Sequence, residues 1–133
     1  MPEKSTLKRA RKDKREGKAP STQAGEFVRE EIDHIREGKH GARSTKQAIA
    51  IGLSKARRAG VKLQPPEKGE TSERTRKQAK RDLAKASSHR KPSPKRSRAT
   101  EGALKREPHS AASHAALSRQ AKSAARRRHA RAQ

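Results

Sequence analysis

The chain has no Cys, Trp or Tyr, one Phe and one Met. Without Cys there are no disulfides and no thiolate metal ligands, so the redox compartment is left undetermined. With 1% aromatics the sequence lacks the side chains on which a single-strand binding surface stacks bases. No apolar run approaches the ~18 residues of a membrane span, and the start, MPEKSTLKRARKDKREGKAP, has no apolar segment of the length a secretory signal needs. The protein is therefore expected to stay in the compartment where it is made. Acids are also scarce, 14 Asp and Glu among 133 residues, and only 27% of the chain is hydrophobic. A chain this polar does not bury enough surface to order its whole backbone, so one small folded module is expected.

What is abundant is positive charge. The 37 Lys and Arg leave a net charge of +23 and a pI near 11.6. Such a surplus repels itself and is neutralised best by an array of phosphates, where counterion release drives association. The charge is uneven: residues 1–20 carry 8 bases and 3 acids, residues 21–64 carry 9 and 5, and residues 65–133 carry 20 and 6. A basic N-terminal arm (1–20), a central module (21–64) and a basic, largely disordered tail (65–133) are expected.

The central module carries the clearest helical periodicity. Ala24, Val28, Ile32 and Ile35 recur at spacings of four, four and three, with Phe27 at the edge of that face and Glu31 bordering it. A hydroxyl of Ser21 or Thr22 is available to cap this helix, and Gly38 stops it. Ser44-Thr45-Lys46-Gln47 fits a capping box and starts a second helix, closed by Gly60 with Val61 as the apolar contact of the cap. On it Ile49, Gly52, Leu53 and Ala56 share a face, and Gly52 with Ala56 leaves room for the first helix. Ile51 projects to nearly the opposite side, left either exposed or covered by another element or protomer. The fold class is mostly α: a helical hairpin over about 23–37 and 45–59, with weak basic helices and long disordered arms. A module this small is below the size of a self-sufficient core, so a homodimer through the hairpin, or ordering on a ligand, is a further expectation. Phe27, Val28, Ile32, Ile35, Ile49, Ile51 and Leu53 are the core or partner-binding set.

In the arms, Ser5 or Thr6 is placed to cap a helix ending near Glu16 with Gly17 as its stop, but Leu7 is its only large apolar residue. Thr71 or Ser72 caps a third helix over about 72–87, striped by Ala79, Leu83 and Ala86. Residues 87–110 read as disordered, and 111–132 as an Ala-rich stretch that is coil when free and partly helical on a polyanion.

The block from Ser21 to Leu63 resembles a family of small, basic bacterial proteins of uncharacterised function, often loosely labelled DNA-binding or plasmid-stabilisation proteins. The similarity is specific over Gly25 to Gly60. It implies a bacterial cytoplasmic setting and transfers no active-site residues; nucleoid association is a further expectation. The tail is similar in composition to those of histone-like proteins. Ser93-Pro94-Lys95-Arg96 is similar to the Ser-Pro-basic-basic element of histone tails, whose turn presents bases to the minor groove, and its bland alternative is a basic linker.

Catalytic and metal chemistry find little support. His34, Glu37 and His40 read as solvated helix-end groups, since Gly38 separates His40 from the others. Glu30, Glu31, Asp33 and Glu37, with Arg29 and Arg36 nearby, read as a solvated face with local ion pairs. Ser44 and Ser54 have no evident His and carboxylate partners. No cofactor, metal or small-molecule substrate is expected, nor membrane insertion.

The reading that results is a non-enzymatic protein binding nucleic acid, DNA before RNA, without sequence preference. The phosphate-neutralising candidates are Lys8, Arg9, Arg11, Lys12, Lys46, Arg57, Arg58, Lys95, Arg96, Arg126, Arg127 and Arg128. The alternatives are a hairpin that docks a protein partner, and association with the ribosome or structured RNA.

Overall fold

The computed structural model describes residues 2–86 and 93–132. Six α-helices follow one another: α1 (Lys4–Arg15), α2 (Pro20–Arg36), α3 (Thr45–Arg58), α4 (Glu73–Lys85), α5 (Pro94–Lys105) and α6 (His114–Ala132), with a 3-10 turn at Ser110–Ala112 before the last. There is no strand among the described residues, and no helix there is long and apolar enough to cross a membrane. The chain divides into two compact units. One comprises Met1–Glu31 with Ala50–Pro92, and the other Ile32–Ile49 with Ser93–Gln133.

The helix ends follow local chemistry. α1, α2 and α3 each stop at a glycine in the left-handed region, Gly17 (φ 76°), Gly38 (φ 79°) and Gly60 (φ 102°). At each, two backbone bonds reach back into the last turn, as in Val61 N–H to the Ala56 carbonyl and Gly60 N–H to that of Arg57. This pair of hydrogen bonds closes the helix and needs a residue free to take positive φ. At the start of α3 the Ser44 hydroxyl accepts the Gln47 N–H (3.1 Å), while the Gln47 side-chain oxygen accepts the Arg43 N–H (2.6 Å). This is a capping box with its return bond shifted one residue outward. α2 begins earlier than the expected hydroxyl cap, because Pro20 fills its first position, where a missing N–H costs nothing. α4 is capped by Ser72, whose hydroxyl accepts the Thr75 N–H at 3.2 Å.

In the first unit, the core is Ala10, Ala24, Phe27, Ala56 and Val61, with Leu7, Leu53 and Leu63 packed against it. The N-terminal segment is thus not a free arm. Leu7 and Ala10, three residues apart, face the core; the Glu3 N–H meets the Glu30 carboxylate (2.6 Å), and Arg9 pairs with Glu26 (2.9 Å). Gly52 makes the close approach expected of it: a Cβ there would lie 2.6 Å from the Cα of Val28. Val28, Ile51 and Leu53 are half-buried.

Polar groups complete this interior. Glu31 is buried and pairs with Lys55, and Glu30 is buried too, so these acids do not belong to a solvated face. Asp82, 1% exposed, accepts from Arg58 Nε (3.0 Å) and from the Gln78 amide (3.1 Å), which draws α4 into the unit. With so few large apolar side chains, hydrogen-bonded ion pairs occupy volume that apolar groups would otherwise fill.

In the second unit, Ile32, Ile35, Ala42, Ala48, Ala111 and Ala112 are buried and Ile49 is half-buried. The α2–α3 connection pairs with the segment after α5: the N–H of Gly41 donates to the Leu104 carbonyl (2.8 Å) and that of Ala42 to the Pro108 carbonyl (3.0 Å). Any Cβ at Gly41 would collide with the Glu107 carbonyl. Two side chains fix the 3-10 turn beyond it, Arg36 Nε to the Ala112 carbonyl (2.9 Å) and Thr45 Oγ1 to that of Ala111 (2.6 Å).

The long disordered arms are therefore a correction. α1, α5 and α6 are regular helices, and of the segment 87–110 read as disordered, residues 93–110 contain α5; residues 87–92, His89 among them, lie outside the described residues. Ser93-Pro94-Lys95-Arg96 is the start of α5, with Pro94 at its first position rather than in an isolated turn. α6 holds seven alanines in 19 residues, and its first turn is secured by the Ser113 hydroxyl accepting the Ala116 N–H at 3.1 Å. Alanine propensity and this cap outweigh repulsion among its bases.

Candidate phosphate-binding surface

Cations are distributed over both units, but their surroundings differ. Arg57 is 7% exposed: its Nε donates to the Leu63 carbonyl and its Nη2 to that of Gln64, both at 3.1 Å. Burial pushes its guanidinium below the ordinary arginine value, and the nearby charge of Asp82 opposes that shift. Arg57 thus ties the chain after α3 to the helix rather than facing solvent. Arg58 is held by Asp82 and Arg9 by Glu26. Lys12 is exposed and lies 4.0 Å from Glu16, at the limit of an ion pair, and Lys8 and Arg11 are exposed on α1. Lys95 and Arg96 are exposed in the first turn of α5.

Within the second unit the start of α3, the 3-10 turn and α6 line an open cleft of about 630 Å³. Arg43 and Lys46 line it from the α3 side, and Arg119, Lys122 and Arg126 from α6. The three α6 positions are spaced by three and four residues, which puts them on one helical face. The lining includes Ser44, Ser110, Ser113, Ser123 and Gln120 and no carboxylate. Among the described residues, none of the five cations forms an ion pair. Positive potential from five cations in one concavity is focused rather than cancelled, and the first-turn amides of α3 add to it.

Of the twelve sequence-derived candidates, the cleft brings together Lys46 and Arg126. Arg127 and Arg128 are exposed on α6 outside its lining. Arg43, Arg119 and Lys122 were not among those candidates. The periodicity of residues 119, 122 and 126 was visible in the sequence, but it acquires meaning only once the stretch is a helix. His34 and His40 meet edge to face with ring centroids 6.1 Å apart, because the turn at Gly38 folds the chain back. Glu37 instead stays exposed and pairs with Lys39 at 3.3 Å.

No curated protein and no solved structure matches the chain significantly. Residues 4–68, from the first residue of α1 to the turn before α4 and just under half of the chain, match a family of unknown function, DUF6496.

Proposed function

We propose that the protein is a non-enzymatic, sequence-tolerant nucleic-acid-binding protein that neutralises phosphates of DNA with the exposed bases of its C-terminal helix. The observation that carries this reading is α6, which over 19 residues has Arg119, Lys122, Arg126, Arg127, Arg128 and Arg131, all exposed, and no acid. Such a helix is about 28 Å long, and duplex DNA offers one phosphate charge per ~1.7 Å of axis along that length. Lys8, Arg11, Lys95 and Arg96 add exposed charge elsewhere. The compositional likeness of the tail to histone-like proteins supports the same reading. The sequence resemblance adds a bacterial cytoplasmic setting, and binding to DNA would make the protein nucleoid-associated.

The test is retention of labelled duplex DNA, and of structured RNA of matched length, by nuclease-treated full-length protein across a salt series. Affinity should fall steeply with salt. Replacing Arg126, Arg127 and Arg128 together by Gln should make the log–log slope shallower by about 2.7, at ~0.9 per lost phosphate contact. An affinity that ignores salt would contradict the reading, as would an unchanged slope in the triple variant. Tighter binding to the RNA would reassign the nucleic acid to RNA.

A further inference from the structure

The cleft of the second unit gathers five cations, with no carboxylate in its lining. One strand of a duplex carries a phosphate per ~3.4 Å of axis. Such a strand spreads its charges singly along its length past Arg43, Lys46, Arg119, Lys122 and Arg126. A condensed phosphate chain, in which neighbouring phosphoryl groups share a bridging oxygen, concentrates its charge more tightly than a diester backbone whose phosphates are separated by sugars.

We infer that this cleft is a binding site for condensed phosphate, the triphosphate group of a nucleotide or a stretch of inorganic polyphosphate. The three arginines present planar forks that pair two-by-two with phosphoryl oxygens, and the two lysines act as mobile point charges. Ser44 accepts the Gln47 N–H and Ser113 that of Ala116, so both hydroxyl protons remain to donate to a ligand. Thr45 does not serve in this way, because its hydroxyl donates to the Ala111 carbonyl. That bond instead fixes the 3-10 turn beside the start of α3, so one wall of the cleft is set before the ligand arrives. The lining has no aromatic residue to stack a base, which directs recognition to the phosphate chain and away from a nucleoside. Arg119, Lys122 and Arg126 belong also to the α6 surface of the nucleic-acid reading, but the cleft needs one small anion and not a duplex.

The experiment is calorimetric titration of full-length, nucleic-acid-free protein with tripolyphosphate, ATP and orthophosphate at about 0.15 M salt. One tripolyphosphate per chain is expected, with ATP within about threefold of it and orthophosphate at least about tenfold weaker. Arg119→Gln with Lys122→Gln, and separately Arg43→Gln with Lys46→Gln, should each weaken tripolyphosphate by about tenfold or more. Arg127→Gln with Arg128→Gln, the same loss of charge outside the cleft, should leave it within about twofold. Helical circular dichroism of every variant controls for unfolding, and the two cleft variants lie on different helices. Several tripolyphosphates per chain, equal losses in all three double variants, or orthophosphate binding as well as tripolyphosphate would each overturn the inference. ATP binding far more tightly than tripolyphosphate would overturn it too, because the base would then be the recognised group.

Discussion

In the first unit several cations are held by buried or half-buried partners, whereas in the cleft of the second unit none of the five lining cations forms an ion pair among the described residues. Lys55 faces Glu31, Arg58 faces Asp82, Arg9 faces Glu26, and Arg57 serves two carbonyls. Only four of the chain's 14 acids, Asp33, Glu37, Glu101 and Glu107, fall in the second unit, and α6 has none. The same residue types therefore do two jobs, and the location of the carboxylates decides which. Where a buried acid is at hand, a base supplies stability and internal order. Where none is, as in the cleft, its charge faces solvent uncancelled.

The largest effect should come from separating the most buried of these pairs. Lys55→Met removes the cation paired with the Glu31 carboxylate, 1% exposed, and should cost about 3 kcal/mol in urea unfolding. Adding Glu31→Leu should recover most of the loss, because an apolar pair does not carry the desolvation cost. If the single variant is as stable as the parent, the pair is not a structural element and the contrast between units fails.

Next comes Arg57→Met, which removes two charge-assisted hydrogen bonds to the chain after α3. A loss of about 2 kcal/mol is expected, with the salt dependence of DNA retention unchanged. A shallower salt slope would mean that this arginine also meets phosphate.

The opposite result is expected on α6. Arg119→Gln with Lys122→Gln removes cations that have no acidic partner, so the denaturation midpoint should correspond to a change within about 0.5 kcal/mol. A clear destabilisation would show that these side chains hold the fold and would remove the contrast from that side.

The smallest effect belongs to Lys18, whose pKa is raised by its hydrogen bond to Glu16, by the charge of that residue, and then by Asp13. With the folded value above the ordinary 10.5, its stabilisation is fully present below that pH. It is lost as pH rises through the raised value. The stability difference between the parent and Lys18→Met should therefore be small at neutral pH and vanish in strong alkali. A difference that grows with pH would reverse the assignment.

The helices of the hairpin were legible because their signals are short-range. Ser44, Gln47, Gly38 and Gly60 act on backbone groups within five residues, and the spacing of Val28, Ile32 and Ile35 states which side of α2 turns inward. α1 was recognised as a helix but not as part of a core, because its one large apolar residue, Leu7, is joined by Ala10 and by polar contacts to residues 17 and 27 positions away. The docking of the segment after α5 was hidden for a similar reason. It rests on backbone bonds at Gly41 and Ala42 and on the side chains of Arg36 and Thr45, which act across 76 and 66 residues. Backbone donors look alike in every sequence, so nothing in the residue pattern marks where such a bond will form.

The sequence by itself determined the helical class, the stops at Gly17, Gly38 and Gly60, the close approach at Gly52 and the surplus of positive charge, because each depends on a residue's own chemistry or on neighbours within one or two turns. Only the tertiary structure decided that α1 joins a core, that Glu30, Glu31 and Asp82 are buried, and that Arg57 is internal while Arg43, Lys46, Arg119, Lys122 and Arg126 share a cleft. Burial and charge pairing are properties of the space around a side chain, and that space is filled by residues far away in the chain.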